Sequence, residues 1–69
     1  MYRTPVSSSN VVSIGYEPNT MTLEVEFQKG SVYQYFNVPE MLYQNLMQAS
    51  SIGSFLHQNI KNNFRYTEL

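Results

Sequence analysis

An α+β domain is the fold the sequence predicts: a three-stranded antiparallel meander followed by two C-terminal helices packed on one of its faces. Three observations point to it. Apolar and polar residues alternate strictly through residues 21–28, Lys29-Gly30 separates that run from a second alternating run, and after Pro39 the apolar period lengthens from two to nearly four. Two helices on one sheet face follow because each apolar surface needs a partner.

The elements follow in chain order. Residues 1–9 are the least regular stretch: Pro5 has no N–H to donate, and Ser7-Ser8-Ser9-Asn10 favours local side-chain-to-backbone turns. Residues 11–16 read Val-Val-Ser-Ile-Gly-Tyr, a strand with Val12, Ile14 and Tyr16 on one face. Glu17-Pro18-Asn19-Thr20 is a turn, since proline presets φ and asparagine tolerates the left-handed region. Met21, Leu23, Val25 and Phe27 then alternate with Thr22, Glu24, Glu26 and Gln28, which gives a strand with one buried and one wet face. Residues 31–37 return as the third strand.

Pro39 fits a first helical position and cannot sit inside a strand. Over residues 40–50, Leu42, Leu46 and Ala49 recur at helical spacing, with Met41 widening the stripe. Ser51 is placed to cap a second short helix carrying Ile52, Phe55, Leu56 and Ile60. The stretch Asn62-Asn63-Phe64-Arg65-Tyr66-Thr67 stops that helix and can add a short edge strand at the C-terminus.

Composition narrows function mostly by exclusion. The 69 residues suit one domain over 1–69, and with no Cys there is no disulfide, thiolate metal cluster or Cys nucleophile. A lone His57 builds no multi-histidine metal site, and no cofactor motif is present. No apolar run approaches the roughly 18 residues of a membrane span, and no signal-peptide pattern opens the chain, so a cytoplasmic location is expected. Four Lys and Arg against five Asp and Glu leave a net charge of −1, without the basic footprint of a strong phosphate-backbone binder. Charged residues are only 13% of the chain, against about 25% in typical domains. Eight Ser, seven Asn and five Gln carry the polarity, and ten aromatic residues argue for a folded chain.

The hairpin register decides the most interesting feature. A two-residue Lys29-Gly30 turn places Phe27 opposite Val32 and sets Tyr33 and Tyr35 on the wet face, beside Glu26 and Glu24. A three-residue loop with a bulge shifts the pairing by one and sends both tyrosines inward. The first is the reading preferred here, although Gln34 argues for the second, because an amide facing the core needs partners. Outward tyrosines two residues apart form a platform on which successive bases can stack. The plainer account is that aromatics are favoured on strands for packing alone. Arg3, Lys61 and Arg65 can form a small basic patch around Tyr66, with Asn59, Asn62 and Asn63 able to meet base edges. His57, at the edge of the apolar stripe, is expected to be partly covered. Catalysis is not expected: no Gly-x-Ser-x-Gly elbow surrounds the serines, no Asp is present, and Glu24 and Glu26 imply no pocket.

Thr4-Pro5-Val6-Ser7-Ser8-Ser9, Ile14-Gly15-Tyr16, Leu23-Glu24-Val25-Glu26-Phe27, Gly30-Ser31-Val32-Tyr33-Gln34-Tyr35, Val38-Pro39 and Ser51-x-Gly53-Ser54 occur in one order along nearly the whole chain. In this the sequence resembles the KTSC domain family, which occurs at the C-terminus of some lysyl-tRNA synthetases and as free-standing small bacterial proteins. Tyr33 and Tyr35 match that family's Tyr-x-Tyr. The resemblance implies RNA binding only through attachment to a tRNA-handling enzyme, and it assigns no catalytic residue. Relatives tend to carry a basic C-terminal run where this chain keeps only Lys61 and Arg65.

Two functions follow as expectations. One is a weak module for single-stranded RNA or tRNA, with Tyr33 and Tyr35 for stacking, Arg3, Lys61 and Arg65 for phosphates, and Tyr66 among the binding residues. The other is a protein-interaction module or homodimer that uses the sheet face or an open edge.

Overall fold

Gly30 stands at φ 101, in the left-handed region that glycine enters without strain. It closes a three-residue loop, Gln28-Lys29-Gly30, in which the Phe27 amide donates to Ser31 and the Gly30 amide donates back to Phe27. The computed structural model, which describes all residues Met1–Leu69, therefore carries the bulged register. Leu23 pairs with Tyr35, Glu24 with Gln34, Val25 with Tyr33 and Glu26 with Val32. This corrects the preferred two-residue turn: Tyr33 and Tyr35 share the face of Leu23 and Val25, and Gln34 lies on the opposite face, where its amide donates to Glu24 at 2.8 Å.

The three expected strands are present, flanked by two more. The order along the antiparallel sheet is β1 (Arg3–Pro5), β2 (Val11–Glu17), β3 (Thr22–Phe27), β4 (Val32–Tyr35) and β5 (Tyr66–Glu68). β1 was not expected, because Pro5 has no donor to give. It survives as an edge strand, where one side needs no ladder partner. β5 is the short C-terminal edge strand that the sequence allowed.

A second register detail corrects the reading of β2. The pairing of β2 with β3 slips between Val11 and Ser13, leaving Val12 as an extra residue. The bulge turns Val11 and Ile14 to the same side, and it is Val11 rather than Val12 that is fully buried.

Pro39 lies just outside the first helix as its N-cap residue, at φ −62 and ψ 145, so it sits one position earlier than expected. Helix α1 (Glu40–Met47) is also shorter than the pattern suggested, closing at Gln48. Helix α2 (Ile52–Asn59) begins as read: the Ser54 N–H donates to the Ser51 hydroxyl at 3.3 Å. Its last turn widens, with the Ile60 and Lys61 amides both donating to the Leu56 carbonyl. Asn62, at φ 71, then redirects the chain so that β5 can pair with β4.

Both helices pack on one face of the sheet. Ile14, Leu23, Val25 and Tyr35 from the strands meet Leu46, Leu56 and Ile60 from the helical region, with Val38 between them. Tyr16 closes one end of this core: its ring stacks on Tyr43 at 4.8 Å, and its hydroxyl donates to the Val38 carbonyl.

The other face is polar and ordered. Gly15 on β2 lacks a side chain, and the Arg3 side chain passes over it to reach Glu24 on β3 at 2.5 Å. Glu24 accepts from Gln34 on β4 as well, so one carboxylate, only 6% exposed, ties β1, β3 and β4 together. Glu26 accepts from Ser13 beside it.

Candidate functional site

At the β5 edge the core opens into a cleft. β4 supplies Tyr33 and Tyr35, β5 supplies Tyr66, and the three rings converge with centroids 5.5 to 6.3 Å apart. The convergence follows from register. Tyr35 pairs directly with Tyr66, and Tyr33 stands two residues away on the same face. Phe27, across the hairpin, meets Tyr33 edge-on at 5.6 Å.

The rings are graded in exposure. Tyr35 is 3% exposed and belongs to the core, Tyr33 is half-buried, and Tyr66 is 57% exposed. The cleft they line has a volume of about 250 Å³ and is rimmed by Lys29, His57, Lys61 and Asn62. Two ammonium groups thus face the rings, and no carboxylate is among the lining residues. Lys61 lies over the Phe27 ring, 5.2 Å from its centre, in a cation–π contact that also fixes the ammonium at the rim.

The electrostatics are uneven across the cleft. Glu68, the cross-strand partner of Tyr33, raises the Tyr33 phenol above its ordinary value, with burial adding to the effect. Burial, reinforced by Tyr33 and Tyr66, pushes Tyr35 up to about 12. Tyr33 and Tyr35 therefore present neutral phenols at ordinary pH, with negative charge near Glu68 and positive charge near Lys29 and Lys61.

Five of the binding candidates singled out in the sequence come together here: Tyr33, Tyr35, Tyr66, Lys61 and Asn62. Arg3 does not join them. It lies on the opposite face, bound to Glu24 and 3.9 Å from Glu26. Arg65 is exposed and lines a shallow depression with Asn63 and Phe64 that shares Asn62 and Tyr66 with the cleft. His57 is exposed rather than partly covered, because it stands on the rim and not over the apolar stripe.

Lys29 was missed, though a signal existed. With Gly30 in the left-handed position, Lys29 sits at the tip of a hairpin whose face carries the tyrosines. Ser7, Ser8 and Ser9 serve as turn-formers; the Ser8 hydroxyl accepts from the Asn10 and Val11 amides. No three His, Cys, Asp or Glu side chains gather where a metal could bind, and no helix is long and apolar enough to cross a membrane.

The same fold is seen in a crystal structure of a KTSC domain protein from Yersinia pestis. The two superpose with a TM-score of 0.94 at 45% identity, covering 99% of this chain and 96% of that one. The model of the KTSC domain matches residues 7–64. The chain belongs to the KTSC domain family. Among relatives, an uncharacterized protein of Stutzerimonas stutzeri is 40% identical over 67 residues, which cover 96% of this chain and 94% of that protein. A lysine–tRNA ligase of Nostoc sp. is 46% identical over 54 residues, 78% of this chain. The KTSC chain spans about a tenth of the length of that ligase, so the two share a small module rather than a whole enzyme.

Proposed function

We propose that this KTSC domain is a small, non-catalytic cytoplasmic module that binds single-stranded RNA weakly, seating one base in the tyrosine cleft. One observation carries the reading: three tyrosine rings converge beside two ammonium groups in a cleft with no carboxylate in its lining. Flat rings with hydroxyl tips can stack on a base and hydrogen-bond its edge, while the ammoniums can take the attached phosphate. The volume of about 250 Å³ lies below the roughly 300–1,000 Å³ of sites enclosing a drug-sized ligand, so it suits one ring. Similarity to part of a lysine–tRNA ligase favours a tRNA-related partner over other anions.

The roles differ from those the sequence suggested. Tyr66, the exposed ring, stacks; Tyr33 lines the wall; Tyr35 forms the floor. Lys29 and Lys61 hold phosphate, whereas Arg3 holds the sheet. Tyr66→Ala is expected to weaken binding of a short single-stranded RNA roughly 5- to 150-fold, the equivalent of about 1–3 kcal/mol for one stacked base. Its melting temperature should stay near that of the parent, because Tyr66 is mostly outside the core. An unchanged affinity in anisotropy titrations would remove the ring from the site.

The second reading, self-association through an open sheet edge, fits less well. Both edge strands, β1 and β5, are three residues long, and β1 carries Arg3 and Pro5, which blunt an edge. Light scattering over a dilution series should give the monomer mass throughout; a mass rising with concentration would favour the edge.

A further inference from the structure

A second depression, of about 290 Å³, adjoins the tyrosine cleft. Phe27, Lys29 and Lys61 line both, so the Lys61–Phe27 contact forms the ridge between two seats and Lys29 borders each of them. The far seat presents side-chain amides from Asn10 and Gln28, with the buried Val11 and Leu56 behind them.

Its remaining wall is Gly53, in the first turn of α2. The fold gives no reason for glycine there. Its φ is not in the left-handed region, and an added Cβ would meet nothing closer than the Asn10 amide nitrogen at 3.4 Å, an ordinary contact. Alanine is a better helix former than glycine, so the first turn of α2 would accept alanine. A glycine that the backbone does not need, on the wall of an open depression, is the residue expected where a ligand approaches the main chain closely.

We infer that the domain binds a dinucleotide unit of single-stranded RNA: one base among the tyrosines, the next against Gly53 beside the Asn10 and Gln28 amides, and their linking phosphate between Lys29 and Lys61. The inference rests on the RNA reading above and extends it from one base to two. Charge placement agrees with it, since both cations line the two seats and Glu68, the partner of Tyr33, lines neither.

The test compares adenosine monophosphate with the dinucleotide adenylyl-adenosine, which carries the same number of phosphates, by NMR titration of the full chain. The dinucleotide should bind at least about fivefold more tightly, the low end of what one further seated base contributes. Its resonance shifts should reach Asn10 and Gly53 as well as Tyr66. Gly53→Leu, which fills the far seat, should erase the difference and leave monophosphate binding unchanged. Gly53→Ala should melt no lower than the parent and reduce the difference, which guards against a leucine variant that fails to fold. Equal affinities for the two ligands, or shifts confined to the tyrosine cleft, would overturn the second seat while leaving the first. Binding of neither ligand would overturn both.

Discussion

Tyr35→Ala is expected to unfold most of the protein, whereas Tyr35→Phe should fold as well as the parent. Tyr35 is the most buried ring of the cleft and packs within the same core cluster as Leu23, Val25 and Ile60. Truncating a buried aromatic costs about 3–5 kcal/mol, transfer and cavity together. A core in a chain of this size supplies about 3–5 kcal/mol of net stability, so the loss matches the whole margin. The phenylalanine variant keeps the packing, and the Tyr35 hydroxyl makes no hydrogen bond within the protein that its removal would break.

The same residue sets an alkaline limit. Its phenol titrates near 10 when unfolded and is raised to about 12 when folded, chiefly by burial. The folded state therefore resists ionisation that the unfolded chain accepts. The corresponding stability is fully present below pH 10 and is lost as pH rises from 10 to about 12. Urea midpoints measured over this range should fall for the parent and fall less for Tyr35→Phe. Parallel slopes for the two would remove Tyr35 from the core.

Gly15→Val should destabilise the domain by about 3 kcal/mol, through two effects that compound. A Cβ at position 15 would stand 2.7 Å from the Tyr2 carbonyl oxygen and 3.1 Å from the Arg3 side chain, so β1 must move. Overpacking of this kind typically costs about 1–3 kcal/mol. Displacing β1 also pulls Arg3 from Glu24, leaving a largely buried carboxylate with Gln34 as its remaining partner. Breaking a fully buried pair costs about 3–5 kcal/mol, and this one costs less because the Arg3 side chain is 31% exposed. A double-mutant cycle separates the terms: Arg3→Ala should be costly in the parent and nearly silent in Gly15→Val. Additive effects would mean that the open lane over Gly15 does not govern the ion pair.

Local chemistry made most of the elements legible. Strict alternation in residues 21–28, the change of period after Pro39, and Ser51 three residues before an amide it can cap are all short-range signals. What stayed hidden depends on pairing between distant residues. Lys29-Gly30 is compatible with two loop lengths, and the choice between them turns Tyr33 and Tyr35 from one face of the sheet to the other. The Gln34 amide was the clue to the true register, since on the polar face it finds Glu24. β1 could not be read locally because its partners lie about ten residues downstream and Pro5 argues against a strand.

The cleft was half legible for the same reason. Tyr33, Tyr35, Lys61 and Tyr66 were identifiable by residue type, but their meeting point requires β5 to pair with β4 and α2 to end over the hairpin. Arg3 illustrates the converse. It counts as one of four cations in the sequence, yet its charge is committed to Glu24 across the sheet.

The most direct test of the central claim is an NMR titration of the labelled protein with a short single-stranded RNA at low and then rising salt, following the tyrosine ring signals. Saturable shifts centred on Tyr33, Tyr35, Tyr66, Lys61 and Asn62 are expected. One phosphate neutralised between the two ammoniums predicts a logarithmic salt slope of about −0.7, and Lys61→Gln should reduce its magnitude. Spectra unchanged at millimolar RNA, or shifts gathered on the Arg3–Glu24 face instead, would contradict the assignment of this cleft to RNA.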